Sequence, residues 1–352
     1  MFNNLRARTL LLGLVGGLLV ALPAAPAAAG DRDRAPRIVS RAVTFSVVNR
    51  GPGWCAADGG THQVRGRLVG TRAAVEGRTG ARRLNILVHD FAAGSWFWHL
   101  RSHPAYDYAT QLARRGEVSL VLDRLGYGAS PLADGRATCL GAQAETLHQV
   151  VQRVRSGLYS FSPDRDTRPL HAASVVLHGH SVGAAIAQLE AGTHDDVDGL
   201  VLMSWADSGA STRAVRAASA QVSTCLRGAD YATYGGGAAA YRALMFRTAP
   251  VAVQRSAVRR RSADPCGDAT SLAPALLPSA LAARKVDAPV LLLVGSADVR
   301  VRPGAAERQA RSYPRDVAVT TRTIPGAASA LPLERSAPAT RRTVLRWLRA
   351  LR

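Results

Sequence analysis

The segment Val175-Val176-Leu177-His178-Gly179-His180-Ser181-Val182-Gly183-Ala184-Ala185 constrains this chain more than any other. An apolar run suited to a buried strand leads into a glycine, a serine and a second glycine. A run of small residues suited to a helix follows. A chain can pass that sharply from strand to helix only where side chains are missing around the turn, and Gly179 and Gly183 remove them two residues before and two after Ser181. The turn leaves the serine at a helix N-terminus, where free N–H groups and the helix dipole favour negative charge.

Around this segment the apolar pattern switches repeatedly between two periods. Ala42 to Val48 and His62 to Val69 alternate apolar and polar residues and read as an antiparallel hairpin at a sheet edge. Leu84–Val88, Val118–Leu122, Ala173–Leu177, Gly199–Met203, Pro289–Val294 and Val317–Ile324 read as strands, and most of these runs are apolar enough to be buried on both faces. Helical spacing fits Tyr106–Arg115, Ala142–Arg155, Val182–Ala191, Ala305–Tyr313 and Pro338–Leu351. Strands alternating with helices predict an α/β class chain, with a mostly parallel central sheet flanked by helices. The alternation breaks between about 206 and 285, a stretch predicted to be a helical lid insertion over the carboxyl edge of the sheet.

The first 29 residues read as a secretory signal peptide. Arg6 and Arg8 precede the 13-residue apolar run Leu10–Leu22, and Ala27-Ala28-Ala29 offers a small-residue cleavage site. The run falls short of the roughly 20 residues a spanning helix needs. The domain is therefore expected to cover 30–352, secreted, with no integral membrane segment once the leader is removed.

Formal charge is +20, or +18 without the two leader arginines. A charge of that size can attract polyanions. Lys285 is the only lysine, however, and the arginines are scattered apart from Arg259-Arg260-Arg261, a composition typical of GC-rich coding sequence. No basic stripe interleaves with aromatics, so no nucleic-acid partner is expected. The four cysteines, Cys55, Cys139, Cys225 and Cys266, fit two disulfides in an exported chain. Of three possible pairings, Cys55–Cys139 with Cys225–Cys266 keeps each bridge within one structural region. No C-x-x-C occurs and no helix carries histidines at i, i+4, so neither a metal nor another cofactor is expected.

With these residues in view, the chain resembles the α/β-hydrolase fold family from about Leu84 to the C-terminus, most of all its exported esterase- and lipase-like members. Two further motifs carry the likeness: Asp123-Arg124-Leu125-Gly126-Tyr127-Gly128-Ala129-Ser130 after a strand, and Leu293-Val294-Gly295-Ser296-Ala297-Asp298 at a strand end. The resemblance implies Ser181 as nucleophile, Asp298 as the acid that orients a catalytic histidine, and the backbone N–H groups of Phe91 and Val182 as the oxyanion hole. Asp207 is the fallback acid. Trp96, Phe97 and Trp98 either line the pocket or anchor their loop.

Two positions depart from the family pattern. The base histidine belongs in the segment Ile324-Pro325-Gly326-Ala327-Ala328-Ser329-Ala330-Leu331, but Ser329 stands there and no histidine follows His194. The oxyanion loop reads His89-Asp90-Phe91 where the family usually has His-Gly, so a carboxylate borders the hole. His180 is expected to pack beside the nucleophile, and His89 and His178 to serve structure. Asp207 and Glu334 remain as carboxylate bases. Two readings follow: a serine carboxylic ester hydrolase with its base position vacant, and a pseudo-hydrolase that binds a small-molecule ester or apolar ligand. In the first, Ser329→His restores turnover and Asp90→Gly assists it.

Overall fold

Six of the strand-like runs assemble side by side in one direction; the inner ones are apolar on both faces and must be covered by helices, while the last, at the sheet edge, is polar and partly exposed. In the computed structural model, which describes residues 37–80, 82–163 and 169–351, β1 (Ile38–Val48) and β2 (Thr61–Thr71) form an antiparallel pair, followed by the single turn α1 (Arg72–Val75). Then come β3 (Arg82–Val88), α2 (Tyr108–Ala113), β4 (Val118–Asp123), α3 (Leu140–Ser156), the two-residue β5 (Ser160–Phe161), β6 (Ala172–His180), α4 (Val182–His194) and β7 (Gly199–Met203). Between β7 and the next long strand lie α5 (Thr212–Leu226), β8 (Tyr231–Ala232), α6 (Ala238–Met245), α7 (Val251–Arg259), β9 (Asp264–Pro265) and α8 (Cys266–Ala283). The chain closes with β10 (Val290–Gly295), α9 (Ala305–Ala310), β11 (Val319–Ile324) and α10 (Ala337–Ala350). The proposed leader lies outside the described residues.

The sheet runs β11-β10-β7-β6-β3-β4-β2-β1-β5. All neighbours from β11 to β4 are parallel, and β2, β1 and β5 add an antiparallel edge. From β3 the chain first winds to one side through β4, then to the other through β6, β7, β10 and β11. The winding therefore reverses beside β3, and the crevice at the carboxyl ends of β3 and β6 is where such sheets place their ligands. Just past those ends stand His89 and Asp90 after β3 and Ser181 after β6.

The close approach of α4 to β3 depends on Gly183, where an added Cβ would lie 2.4 Å from the Val88 carbonyl oxygen and 2.7 Å from that of His89. The other glycine of the turn, Gly179, would bring a Cβ 2.3 Å from Ala184 Cα.

Both disulfides form in the expected pairing, Cys55–Cys139 and Cys225–Cys266. The second joins the end of α5 to the first residue of α8. Between β7 and β10 the chain is helical apart from the bridge β8–β9, which is too short to leave an alternating pattern in the sequence. No described helix is long and apolar enough to cross a membrane.

Gly183→Ala should therefore lower the unfolding free energy by roughly 1–3 kcal/mol, since the added methyl meets backbone and cannot be relieved by rotamer change. Urea unfolding of the purified chain checks this; a variant as stable as the parent would contradict the packing described.

Candidate active site

Ser181 sits in a strained turn. Its backbone lies at φ 51°, ψ −116°, between the last residue of β6 and the first of α4. The strain is fixed from both sides. Ser181 N–H donates to the Met203 carbonyl at 2.8 Å, while its own carbonyl accepts from Ala184 N–H at 2.8 Å. Two more non-glycine residues with positive φ, Ala92 and Ser204, follow β3 and β7 at the same end of the sheet. Such conformations cost about 1–3 kcal/mol each and persist where surrounding structure over-determines them.

The side chain that meets Ser181 belongs to no motif of the sequence. Arg300, in the loop after β10, donates from Nη2 to Ser181 Oγ at 2.7 Å. Its Nη1 donates to Asp90 Oδ2 at 2.5 Å and reaches Ser329 Oγ at 3.3 Å. The guanidinium thus spans from the position where a base was sought, Ser329, to the hydroxyl a base would serve. Its face lies over the Tyr234 ring at 4.9 Å. The signal available beforehand was charge complementarity. An acid in the oxyanion loop needs a buried cation, and Arg300 stands two residues after Asp298.

Asp90 points inward. Its Oδ1 accepts the Val182 N–H at 3.2 Å, so a carboxylate holds one of the two donors expected of an oxyanion hole. Asp90 is wholly buried and Arg300 is 6% exposed. Burial alone would push the Asp90 carboxyl up, but the guanidinium beside it holds it below the usual carboxylate range. Burial likewise works against the charge on Arg300, and Asp90, with Tyr234 and Asp298, outweighs it. The pair is ionised. A guanidinium has five N–H donors and no acceptor, so Arg300 cannot take the serine proton.

No imidazole hydrogen-bonds Ser181 among the described residues. His180 turns away, stacks on Phe97 with centroids 4.5 Å apart, and faces the Ser329 carbonyl through Nε2 at 2.9 Å. His89 bridges the Asp90 carbonyl and the Arg124 N–H, and His178 bridges Tyr108 and Asn85. Asp298 is half-buried and accepts the Arg300 backbone N–H at 2.8 Å, so it shapes the loop that carries the guanidinium. Phe91 lines the cavity described below.

The other carboxylates weighed as bases are engaged elsewhere. Asp207 accepts from Gln188, Trp205, Ser279 and Gln309. Glu334 accepts from the N–H groups of Arg247 and Thr248, both at 2.6 Å. Phe97 and Trp98 are fully buried, and none of Trp96, Phe97 and Trp98 borders the cavity; the three anchor their loop.

Above Ser181 lies a cavity of about 510 Å³. Helices α5 and α8 form its far wall through residues such as Ala218, Val222, Leu272 and Leu276. Ser181, Ser204, Tyr234 and Arg300 form its polar end at the sheet, and Ser219, Ser223 and Thr270 add hydroxyls on the α5 and α8 wall. Asp264 ties this wall to the oxyanion loop, accepting from Ala92 N–H at 2.6 Å, Tyr234 N–H at 3.0 Å and Gln221 Nε2 at 2.7 Å. Arg124 of the second motif pairs with buried Asp268 of α8 at 2.7 Å.

A sequence profile of the Alpha/beta hydrolase family matches residues 86–341. No curated protein sequence matches the chain. Among solved structures, a thermophilic esterase from Thermogutta terrifontis, determined with malate bound, is similar at TM-score 0.62 and 20% identity, covering 88% of this chain and 98% of that one. An esterase from Exiguobacterium antarcticum is similar at 0.59 and 14%, covering 84% and 98%. A monoacylglycerol lipase from Paleococcus ferrophilus is similar at 0.54 and 20%, covering 75% and 93%.

Burial lowers the pKa of His180 to about 4, against an unfolded value of about 6.5. The folded state therefore takes up this proton later than the unfolded chain. The stability due to the neutral ring is complete above about pH 6.5 and is lost as pH falls toward 4. In His180→Phe, which keeps a ring against Phe97, that loss should vanish. The unfolding free energy of the parent minus that of the variant should fall as pH drops from about 7 to about 4.5. A difference independent of pH, measured by urea unfolding at several pH values, would contradict a neutral buried His180.

Proposed function

The chain belongs to the alpha/beta hydrolase family, and from that premise we propose that it is a non-hydrolysing member, a secreted binding protein for a small, largely apolar molecule. One observation carries this reading: Arg300 donates to Ser181 Oγ at 2.7 Å while Asp90 accepts the Val182 N–H at 3.2 Å. Acyl transfer needs a base for the serine proton and free donors for the developing oxyanion. Here a group that cannot accept a proton stands at the first place, and a negative charge stands at the second. Asp90 and Arg300 neutralise each other, so the polar end of the cavity favours a neutral acceptor, such as an ester or ketone carbonyl, over a free carboxylate. The mostly apolar wall from α5 and α8 favours a hydrocarbon body. The solved esterases that share the fold are consistent with an ester-like ligand. The leader-like first 29 residues and the two disulfides support export.

The chain should then hydrolyse 4-nitrophenyl butyrate no faster than Ser181→Ala. Ser329→His alone should add nothing, because Arg300 fills the space between positions 329 and 181. Arg300→Ala alone should destabilise the fold by about 3–5 kcal/mol, since it leaves Asp90 buried without its counter-charge. The combination Asp90→Gly, Arg300→Ala, Ser329→His empties the hole, removes both charges and supplies an imidazole. It should raise turnover roughly 10²-fold or more, the lower end of what a placed general base contributes. Methyl decanoate should raise the melting temperature of the parent and be recovered intact. Ala218→Trp, which fills the cavity, should abolish that rise. Turnover by the unmodified chain that Ser181→Ala removes would contradict the proposal.

A further inference from the structure

A second cluster of polar side chains lies at the other end of α4, nine residues and roughly 13 Å along the helix from Ser181. Glu190 of α4 is completely buried, and neither of its carboxylate oxygens receives a hydrogen bond from a described residue. It faces Asp196, in the connection after α4, where the preceding Asp195 adopts φ 50°. Asp196 Oδ1 is buried and equally without a donor, while its Oδ2 lies 2.8 Å from His148 Nδ1 and 2.6 Å from Gln152 Nε2 of α3. One donor atom from each of His148, Glu190 and Asp196 comes within 4.8 Å of the other two. A buried carboxylate without partners is costly, and a second carboxylate beside it raises the cost.

We propose that His148, Glu190 and Asp196 bind one divalent transition-metal ion, zinc in the first instance. Two carboxylates and a neutral imidazole balance the charge of a dication. Bonds of about 2.0–2.2 Å to three such ligands, with water in the fourth position, require donor atoms roughly 3.4 Å apart, a modest closing of the present arrangement. The nitrogen ligand selects against calcium and magnesium, which prefer oxygen alone. The surroundings hold the ligands in place. The His148 ring stacks on His194 at 3.7 Å, and His194 is itself paired with Glu145 at 2.9 Å. His148 and Asp196 are partly exposed, so an aqueous ion can reach the site. The bound ion ties α3 to the end of α4 and to the segment leading into β7. Histidine spacing along one helix does not reveal this cluster, because its members come from α3, α4 and a loop.

The rival arrangement is a single proton shared between Glu190 and Asp196. The tag-free chain, stripped with EDTA and titrated with zinc chloride at neutral pH in a calorimeter, should bind one equivalent. Zinc at a hundredfold excess over Kd should raise the melting temperature by roughly 5 °C. Glu190→Gln and His148→Asn should each weaken binding at least tenfold and remove the thermal shift. Circular dichroism checks that both are folded; because His148 is half-buried, its variant keeps the test decisive if Glu190→Gln does not fold. Absence of binding overturns the proposal. So does binding that persists in His148→Asn, or calcium chloride producing the same shift. A Glu190→Gln chain more stable than the parent, with no zinc response in either, would establish the shared proton instead.

Discussion

The crevice of this protein is organised around one buried ion pair, Arg300 with Asp90. Each partner is costly to bury alone, and each is kept charged by the other. The pair touches the Ser181 hydroxyl, position 329 and one of the two expected oxyanion donors. Arg300 holds the Ser181 hydroxyl and reaches Ser329, and Asp90 holds the Val182 N–H. The consequence is mutual dependence. Neither charge can be removed singly without stranding the other, so in the proposed account a gain of hydrolysis needs several changes at once. A chain that had lost only a histidine would lack this constraint.

The strained turn at Ser181 persists although its usual chemical purpose is unserved in the proposed account. Its geometry is set by the sheet and by α4, through the Met203 carbonyl and the close contact at Gly183, and not by the side chain it presents. Fold and chemistry are thus separable here. The elbow positions a hydroxyl at the floor of a mostly apolar cavity, and the ion pair decides what that hydroxyl can do. The far wall is fastened to the same floor by Asp264 and by the Arg124–Asp268 pair, so cavity shape and site geometry are linked.

Much of the fold was legible because it rests on apolar periodicity. The buried strands, the helices between them and the turn at Ser181 all leave local patterns, and the disulfide pairing followed from their regions. Short elements left none: α1, β5 and the β8–β9 bridge have two to four residues and are fixed by tertiary contacts. The site was half legible. Ser329 and Asp90 stood out as departures from a pattern. Arg300 did not, since it is one arginine among many and its role depends on a contact spanning 210 residues of sequence. The Glu190 cluster was hidden for the same reason, with ligands on separate elements.

The central claim is that Ser181 is not an activated nucleophile, and its reactivity toward a fluorophosphonate measures this most directly. Such a reagent captures a serine only where a base withdraws the hydroxyl proton and donors stabilise the phosphoryl oxygen. Intact-mass analysis of the folded chain after exposure at neutral pH should show no added phosphonyl group. Stoichiometric labelling that maps to Ser181 would contradict the account.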